Sequence, residues 1–337
     1  MKKKATIKDV AAKAGVSVAT VSRWIHSNGY VSEANAQKID EAVHYLGYQT
    51  KQKTEPSCDK KRRIIAVIGG SAGIEHTYLP RLSHALSIAA GKMGYYTMYI
   101  ARQPDNENIS DIIRIALSEQ VCGIIISDFK DLSLTQSNKL FLANCGVPVV
   151  ITERAVCAEL NGVYIDTMQG VYMATKYLIE SGRKRLLYLT KSIDGSVEND
   201  RLVGFQTAVK ECPEPDFGYE IRICESMQRE ACADALEKIY QSSFIPDGIV
   251  CWSDVYAITT MQFLYKKQIR VPEETAVVGY DDFLASYSTI PLTSVRSPLS
   301  ELAREAVGII VNNQNSDGEF FARTITVTPK LIIREST

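Results

Sequence analysis

Short polar side chains and one arginine near the N-terminus have the types and spacing needed to contact a polyanion. Val18, Ala19, Ser22, Arg23 and His26 share one face of a nine-residue segment with helical periodicity. An arginine on such a helix can donate two hydrogen bonds to guanine or hold a phosphate, and small apolar side chains can contact the thymine methyl group. The segment therefore has the chemistry of a helix that reads the major groove of DNA.

Around this segment, hydroxyl and amide side chains fall at the starts of predicted helices. Side chains of this kind, together with backbone N–H groups at helix N-termini, suit contacts to phosphate oxygens. The candidates for DNA contacts of this type are Thr6, Ser17, Thr20, Ser22, Asn28, Ser32 and Asn35.

Three short helices are predicted to position these side chains. Thr6 and Asp9 have the spacing of a helix start, and Gly15 can end that helix because glycine readily adopts a positive φ. Ser17 and Ser32 are predicted to begin the second and third helices. The predicted apolar faces contain Val10 and Ala14, then Val21 and Ile25, then Ile39, Val43 and Leu46. The pattern favours a helix-turn-helix, with a small helical bundle capped by ordinary serine and threonine as the alternative.

A second set of polar side chains lies just after predicted buried strands or, for Arg201, after a strand and its loop, and consists of Ser71, Glu153, Arg201, Ser253 and Asp281. A guanidinium is a forked and permanently charged donor, and a carboxylate can accept hydrogen bonds from two hydroxyl groups. The set therefore predicts a binding site for a small polar molecule. The alternative is that Arg201 and Asp281 pair with each other or with the backbone, because structural ion pairs also collect at loop ends.

Eight β-branched, apolar runs between residues 64 and 280 are typical of buried parallel strands, and helical segments separate them. The first series lies at 64–68, 96–100, 121–126 and 147–151, and the second at 186–189, 219–223, 248–251 and 276–280. Two such series predict an α/β core of two doubly wound parallel-sheet lobes. Sheets of this kind bind ligands beyond the carboxyl ends of their strands, so the cleft between the lobes is the expected site.

Charge is distributed unevenly along the 337 residues, although the net charge is only −1. Residues 1–63 contain 13 Lys and Arg against six Asp and Glu, whereas the remainder is acidic overall. A basic module on an acidic body is expected of a protein whose head binds a polyanion. The basic start MKKKAT is followed by no apolar segment, which argues against a signal peptide. The eight cysteines lack metal-ligand spacing and no apolar run is long enough to span a membrane, which predicts a reduced, cytoplasmic protein without a metal or cofactor.

The motifs GVSVATVSR, GYVSEAN and LGY together resemble the DNA-binding headpiece of the lactose/galactose-repressor family of bacterial transcriptional regulators. The blocks DRLVGFQTAV and VPEETAVVGYDDF extend the resemblance through nearly the whole chain. His26 stands where the family usually has Asn, and Asn35-Ala36 stands where it usually has Thr-Arg. The resemblance implies a core like that of periplasmic sugar-binding proteins, in which Arg201 contacts the ligand. It also implies that the chain crosses between the lobes near Val163, Leu292 and Arg323.

The segment 49–63, QTKQKTEPSCDKKRR, has the composition of a polar and basic linker. Members of the family usually have here a short hinge helix, with a Leu that enters the minor groove. This chain has Pro56 and then Ser57 in the Leu position, and proline inside a helix costs ~3 kcal/mol. We therefore expect a flexible basic strap along the DNA backbone that bends DNA less than a hinge helix does, with a single helical turn over 51–55 as the alternative.

The predicted organisation is a helix-turn-helix headpiece over 1–48, a linker over 49–63 and a two-lobed effector-binding and dimerisation core over 64–337. The predicted function is sequence-specific transcriptional regulation, with repression of carbohydrate-metabolism genes as the expected activity. A homodimer is expected on a pseudo-palindromic operator in double-stranded DNA, because two-fold symmetry doubles the number of bases read. A sugar or polyol is the favoured effector, with a sugar phosphate or nucleobase as alternatives.

Two other classes of protein are disfavoured by the sequence. An enzyme is disfavoured because the sequence contains no P-loop or H-E-x-x-H motif, and the glycine-rich stretch 69–73 after the first strand lacks the Lys and the spacing of a phosphate-binding loop. A periplasmic transport protein would use the same core, but the N-terminal module and the missing signal peptide oppose it.

Overall fold

The computed structural model describes residues 6–26, 31–46, 63–70, 78–102, 109–127, 136–152, 160–191, 195–212, 215–226, 228–314 and 322–337. The chain divides into two compact units, Met1–Lys61 and Arg62–Thr337. The predicted contact residues Asn28, Ser71 and Glu153 lie outside the described residues, as do the linker residues 49–62 and the side chain of His26. The strap therefore stays a prediction.

The first unit contains the three predicted helices, α1 (Ile7–Ala14), α2 (Val18–His26) and α3 (Glu33–Leu46). Thr6 and Asp9 form a reciprocal cap at the start of α1: the Asp9 carboxylate accepts from the Thr6 backbone N–H at 2.8 Å, and the Thr6 hydroxyl accepts from the Asp9 N–H. Gly15 ends α1 with a φ of +65°, as expected for a glycine that follows a helix. The side chains buried between the helices are Val10, Ala11, Ala14, Val21, Ile39 and Ala42. This core confirms the predicted apolar face of α1 and the burial of Val21 on α2, whereas the side chain of Ile25 lies outside the described residues. Val43 and Leu46 pack against the core from α3.

The second unit contains two six-stranded sheets. The first sheet is parallel throughout, in the order β11-β5-β4-β3-β1-β2, and consists of β1 (Ile64–Gly70), β2 (Tyr96–Arg102), β3 (Gly123–Ile126), β4 (Val149–Ile151), β5 (Asn161–Ile165) and β11 (Thr324–Val327). Apolar side chains pack two helices on each face, which are α4 (Tyr78–Lys92) and α11 (Leu299–Gln314) on one and α5 (Ile109–Ser118) and α6 (Gln136–Ala143) on the other. This sheet and its helices form lobe 1.

The second sheet has the order β12-β10-β9-β8-β6-β7. Its strands are β6 (Arg185–Thr190), β7 (Gly218–Ile223), β8 (Gly248–Cys251), β9 (Ala276–Asp281), β10 (Thr293–Arg296) and β12 (Lys330–Ile332), and only β12 is antiparallel to its neighbour. The helices α7 (Thr167–Glu180) and α8 (Ser196–Lys210) cover one face, and α9 (Arg229–Tyr240) and α10 (Asp254–Lys266) cover the other. This sheet and its helices form lobe 2, and the two lobes confirm the predicted doubly wound core.

The chain passes between the lobes three times, after β5, after β10 and after β11. Each crossing lies a few residues beyond the position that the family resemblance implied. The strands next to these crossings, β5, β10, β11 and β12, were not among the eight predicted strands. The eight predicted strands are all present, with ends shifted by at most two residues.

Candidate DNA-reading surface and effector cleft

The α2 helix presents the predicted reading face to solvent. Val21 is fully buried in the core of the first unit, whereas Val18 is 43% exposed and Ala19 and Arg23 are also exposed. The buried valine fixes the rotation of α2 about its axis. The N-terminal end of the helix and its arginine are therefore open to a DNA groove, which is the arrangement that helix-turn-helix proteins use.

Two of the residues predicted to contact phosphates, Thr6 and Ser17, make hydrogen bonds within the protein at the starts of helices. The Thr6 hydroxyl donates to the Asp9 carboxylate at 2.7 Å, so its proton is already engaged. The Ser17 hydroxyl accepts from the Thr20 backbone N–H at 3.1 Å and lies 2.8 Å from the Thr20 hydroxyl. Ser22 is half-buried in the middle of α2, and Ser32 and Asn35 are half-buried at the start of α3. DNA contacts by these side chains remain predictions.

In the second unit, Arg201 lies against Asp281, a second residue of the predicted effector site. Its side chain rises from α8 and is 6% exposed. Nη1 donates to the Trp252 carbonyl at 2.6 Å, and Nη2 lies 4.0 Å from Oδ1 of Asp281. The guanidinium carbon lies 3.7 Å from the centre of the Tyr280 ring and 5.0 Å from that of Trp252. The arginine is thus held among aromatic rings at the carboxyl ends of β8 and β9.

Asp281 ends β9 with a φ of +96° and its side chain is 14% exposed. Ser297 donates to its Oδ1 at 3.5 Å. Burial raises the pKa of the Asp281 carboxyl above its usual value, and the positive charge of Arg201 opposes that rise. The predicted pairing of Arg201 with Asp281 is therefore present, but at 4.0 Å it leaves carboxylate oxygens able to accept further hydrogen bonds.

Ser253 lies at the same edge of the sheet but serves a different local purpose. It precedes α10, and its hydroxyl accepts from the Tyr256 backbone N–H at 3.4 Å, so it is the N-cap of that helix. The neighbouring Asp254 is 3% exposed, and its carboxylate accepts hydrogen bonds from the backbone N–H groups of Phe283 and Leu284. An effector contact by Ser253 remains a prediction.

Three residues of the site were not predicted from the sequence. Trp252 follows β8 and Lys191 follows β6, while Tyr280 is the penultimate residue of β9, and these strands are neighbours in the sheet. The Lys191 ammonium lies 4.2 Å from the Trp252 ring centre and 3.1 Å from the Glu198 carboxylate. Trp252 and Lys191 could have been predicted from the sequence, because each directly follows a predicted strand or lies just beyond its end.

Comparisons with known proteins agree with both units. Residues 6–51 match the family model described as bacterial regulatory proteins, lacI family, and residues 175–337 match a periplasmic binding protein-like domain. The chain is 27% identical over 340 residues to the HTH-type transcriptional repressor PurR of Aliivibrio salmonicida, with 98% of each chain covered. It is 26% identical over 351 residues to the PurR repressor of Haemophilus influenzae, again over 98% of each chain.

The chain combines a helix-turn-helix domain of the lacI family with a periplasmic binding protein-like domain. It is a DNA-binding transcriptional regulator, and its relatives are repressors and not enzymes. Solved lacI-family structures share its fold. The transcriptional regulator CelR in complex with cellobiose is 23% identical with a TM-score of 0.67, covering 99% of this chain and all of that one. The lac repressor dimer bound to operator and the anti-inducer ONPF is 18% identical with a TM-score of 0.70, covering 99% of each chain.

Within the described part of this chain, no helix is both long and apolar enough to cross a membrane. In the same residues, no group of three or more His, Cys, Asp and Glu side chains lies together as the ligands of a metal ion would.

The buried carboxyl of Asp254 should make the stability of the second unit depend on pH. Burial, and next the negative charge of Asp281, raise its pKa from 3.8 to about 7. Between these values the folded chain binds a proton that the unfolded chain has released. The free energy of unfolding should therefore fall as the pH rises from about 4 to 7, by at most ~1.4 kcal/mol per pH unit from this group, and then level off.

Urea unfolding between pH 5 and 8 measures this slope, and Asp254→Asn is the matched variant because its amide is neutral throughout. We expect a smaller slope in the variant than in the parent below pH 7. Equal slopes in the two proteins would contradict the raised pKa of Asp254.

Proposed function

We propose that this lacI-family regulator is controlled by a small effector that binds in the cleft of the second unit against Arg201, Asp281 and Trp252. The observation that carries the proposal is a pair of buried hydrogen-bond donors for which the described residues supply no partner, one on the Arg201 guanidinium and one on the Trp252 ring. Within the described residues, Arg201 Nε and Trp252 Nε1 are both buried without a hydrogen-bond partner. Buried donors are normally satisfied, so their position at a sheet edge favours a ligand or a water molecule there.

A sugar is the first candidate for this effector. The Asp281 carboxylate can accept hydrogen bonds from two hydroxyl groups, and the Trp252 ring offers an apolar surface beside it. Most ligand pockets combine aromatic surface with a few polar groups in this way. This candidate places the regulator in the control of carbohydrate-metabolism genes.

A nucleobase is the second candidate, because the relatives over 98% of the chain carry the name PurR. The same residues suit a flat ring: Trp252 can stack on it, and Asp281 can accept from its N–H groups. The two candidates differ in the donors that Asp281 meets. A sugar donates from its hydroxyl groups, whereas a base donates from its ring or amino N–H groups.

Tryptophan fluorescence separates these candidates, because the chain has two tryptophans, Trp24 in the first unit and Trp252 in the cleft. In a Trp24→Phe background, Trp252 is the sole fluorophore. We expect saturable fluorescence changes, together with thermal stabilisation, from one panel only: sugars including cellobiose and ribose, or the purine bases adenine, guanine and hypoxanthine. Binding by neither panel would contradict the proposed cleft chemistry.

We further propose that the regulator is a cytoplasmic homodimer that reads a pseudo-palindromic operator. Both sheets end in an outer strand with exposed apolar side chains, β2 in lobe 1 and β7 in lobe 2. Tyr96 is 71% exposed on β2, and Ile223 is 50% exposed on β7. Exposed apolar side chains on an outer strand favour association with another chain.

A Tyr96→Glu, Ile223→Glu double variant should shift the chain from dimer to monomer, because two carboxylates would then be buried in the interface. Sedimentation velocity over a concentration series measures the change, which we expect to exceed tenfold in the dissociation constant. Tyr265→Glu is the control, since Tyr265 is 83% exposed on α10 of lobe 2. A double variant as dimeric as the control would contradict the proposed interface.

A further inference from the structure

The turn that follows β9 has a backbone conformation that non-glycine residues seldom adopt. Asp281 has a φ of +96° and Asp282 a φ of +56°. Positive φ values cost free energy for residues with a Cβ, and they persist where surrounding contacts hold the backbone in place. The contacts that hold the turn Asp281–Leu284 in this conformation therefore indicate its role.

Lobe 2 holds the backbone of this turn through one carboxylate and one hydroxyl. The Asp254 Oδ2 accepts from the N–H groups of Phe283 at 2.7 Å and of Leu284 at 3.2 Å. The Ser294 Oγ accepts from the Asp282 N–H at 3.1 Å and donates to the Asp254 Oδ1 at 2.6 Å. Three successive N–H groups thus converge on Asp254 and Ser294, as such groups converge on a bound anion in other turns.

The side chain of Asp282 gives the turn a second attachment to lobe 2. Its carboxylate is 3% exposed, and it lies 2.6 Å from Arg296 Nε and 2.7 Å from Arg334 Nη2. Arg296 at the end of β10 and Arg334 just after β12 both hold this buried carboxylate. A rotation of Asp282 independent of the sheet is therefore disfavoured.

Phe283 attaches the same turn to lobe 1. Its ring is 9% exposed and belongs to the cluster of buried side chains that contains Leu82, Leu86 and Leu302 of lobe 1. Arg81, in the first turns of α4, has its guanidinium carbon 4.4 Å from the centre of the Phe283 ring, and its Nη2 donates to the Phe283 carbonyl at 3.4 Å. A side chain that follows a strand of lobe 2 is thus part of the core of lobe 1.

We propose that the Asp281–Leu284 turn is a mechanical link between the effector cleft and lobe 1, and that Asp254 is the positioning residue of that link. The proposal rests on the proposed function in one respect, the assignment of an effector to Asp281. The carboxylate that faces Arg201 and the ring that enters lobe 1 are only two residues apart. Because Asp254 and Ser294 hold the intervening N–H groups together, a displacement of Asp281 by an effector is transmitted to Phe283 and to α4.

Lobe 1 is the lobe that a signal to the DNA-binding unit has to reach. Its first strand, β1, begins at Ile64, directly after the segment that leads from the first unit. A change at Asp281 that moved lobe 2 alone would reach that segment only through the three crossings of the chain. The Phe283 contact provides a non-covalent route in addition to them.

Hydrogen exchange of the full-length, ligand-free protein tests the link in both directions. Arg81→Gln removes the Arg81 contacts of Phe283 in lobe 1, and Asp254→Ala removes the hydrogen bonds of Asp254 to the turn in lobe 2, with Ser294→Ala as a milder second variant. We expect Arg81→Gln to accelerate exchange of the amides of 282–284 about tenfold, and the lobe 2 variants to accelerate exchange of the amides of 82–86 in α4. Rates are compared with those of β6 amides, because global unfolding would accelerate all of them equally.

Arg114→Gln is the matched control, since Arg114 also faces a phenylalanine ring, that of Phe141, at 5.5 Å within lobe 1. It should change neither set of amides. The link is overturned if each variant changes exchange only in its own lobe, or if all amides change in proportion. Because the measurement uses no effector, a reciprocal effect supports the link even if both effector panels fail, and its absence refutes the link even if one panel binds.

Discussion

The Asp281→Asn variant should lose most of its affinity for the effector while keeping its fold and its DNA binding. A hydrogen bond to a charged acceptor contributes ~1.5–3 kcal/mol, so the loss should be roughly tenfold to 150-fold in the dissociation constant. Asparagine tolerates positive φ better than most residues, so the turn at φ +96° should survive the change. The distance of 4.0 Å between Asp281 and Arg201 also means that no short ion pair is broken.

Isothermal titration with the compound that binds best in the fluorescence screen measures this loss. The control is Glu237→Gln, which removes an exposed carboxylate that pairs with Lys267 at 2.8 Å on the surface of lobe 2. Arg201→Ala should have a still larger effect on binding, but it leaves a partly buried carboxylate without its cation and should also destabilise the fold. Effector affinity in Asp281→Asn equal to that of the control would remove Asp281 from the site.

Replacing Arg23 by alanine should weaken binding to the specific operator by ~1–3 kcal/mol for each guanine contact, or about fivefold to 150-fold. The side chain is exposed on the face of α2 opposite to the buried Val21, so its removal should not disturb the core of the first unit. Effector binding should be unchanged, because Arg201 and Asp281 belong to the other unit.

Fluorescence anisotropy with specific and non-specific duplexes separates the two roles that Arg23 can have. A base contact predicts a loss confined to the specific duplex, whereas a phosphate contact predicts an equal loss on both and a salt slope that is smaller by about one. Lys38→Ala is the control, because it removes an equal charge from an exposed position on α3. Specific binding as strong as that of the control would mean that α2 is not docked through this face.

The features predicted well from the sequence are those that depend on neighbouring residues. Thr6, Asp9 and Gly15 begin and end α1 through contacts within a few positions, so their residue types suffice to place the helix. The buried strands are continuous β-branched runs, which few other structures produce. The strands missed, such as β10 (TSVR) and β12 (KLI), contain polar or charged residues and so lack the continuous apolar run by which the equally short β4 and β8 were predicted.

The prediction of the candidate site had limits, and these have a physical cause. Asp281 was selected because strand ends collect ligand contacts and Arg201 because the family resemblance implied a ligand contact there, but the strand-end rule also selected Ser253. A residue between a strand and a helix is often the N-cap of that helix, and position alone does not separate a cap from a ligand contact. The role of Asp254 depends on N–H groups 29 and 30 residues away, which no local pattern indicates.

Selection of duplex DNA from a random pool by the full-length protein is the most direct test of a dimeric, effector-controlled DNA reader. We predict enrichment of one pseudo-palindrome whose half-sites fall about 10 base pairs or a multiple of that apart, as two-fold symmetry of the headpieces requires. Its affinity should change when the effector found in the screen is added, and this change should be absent in Asp281→Asn. Recovery of no preferred sequence, or of a sequence without two-fold symmetry, would contradict it.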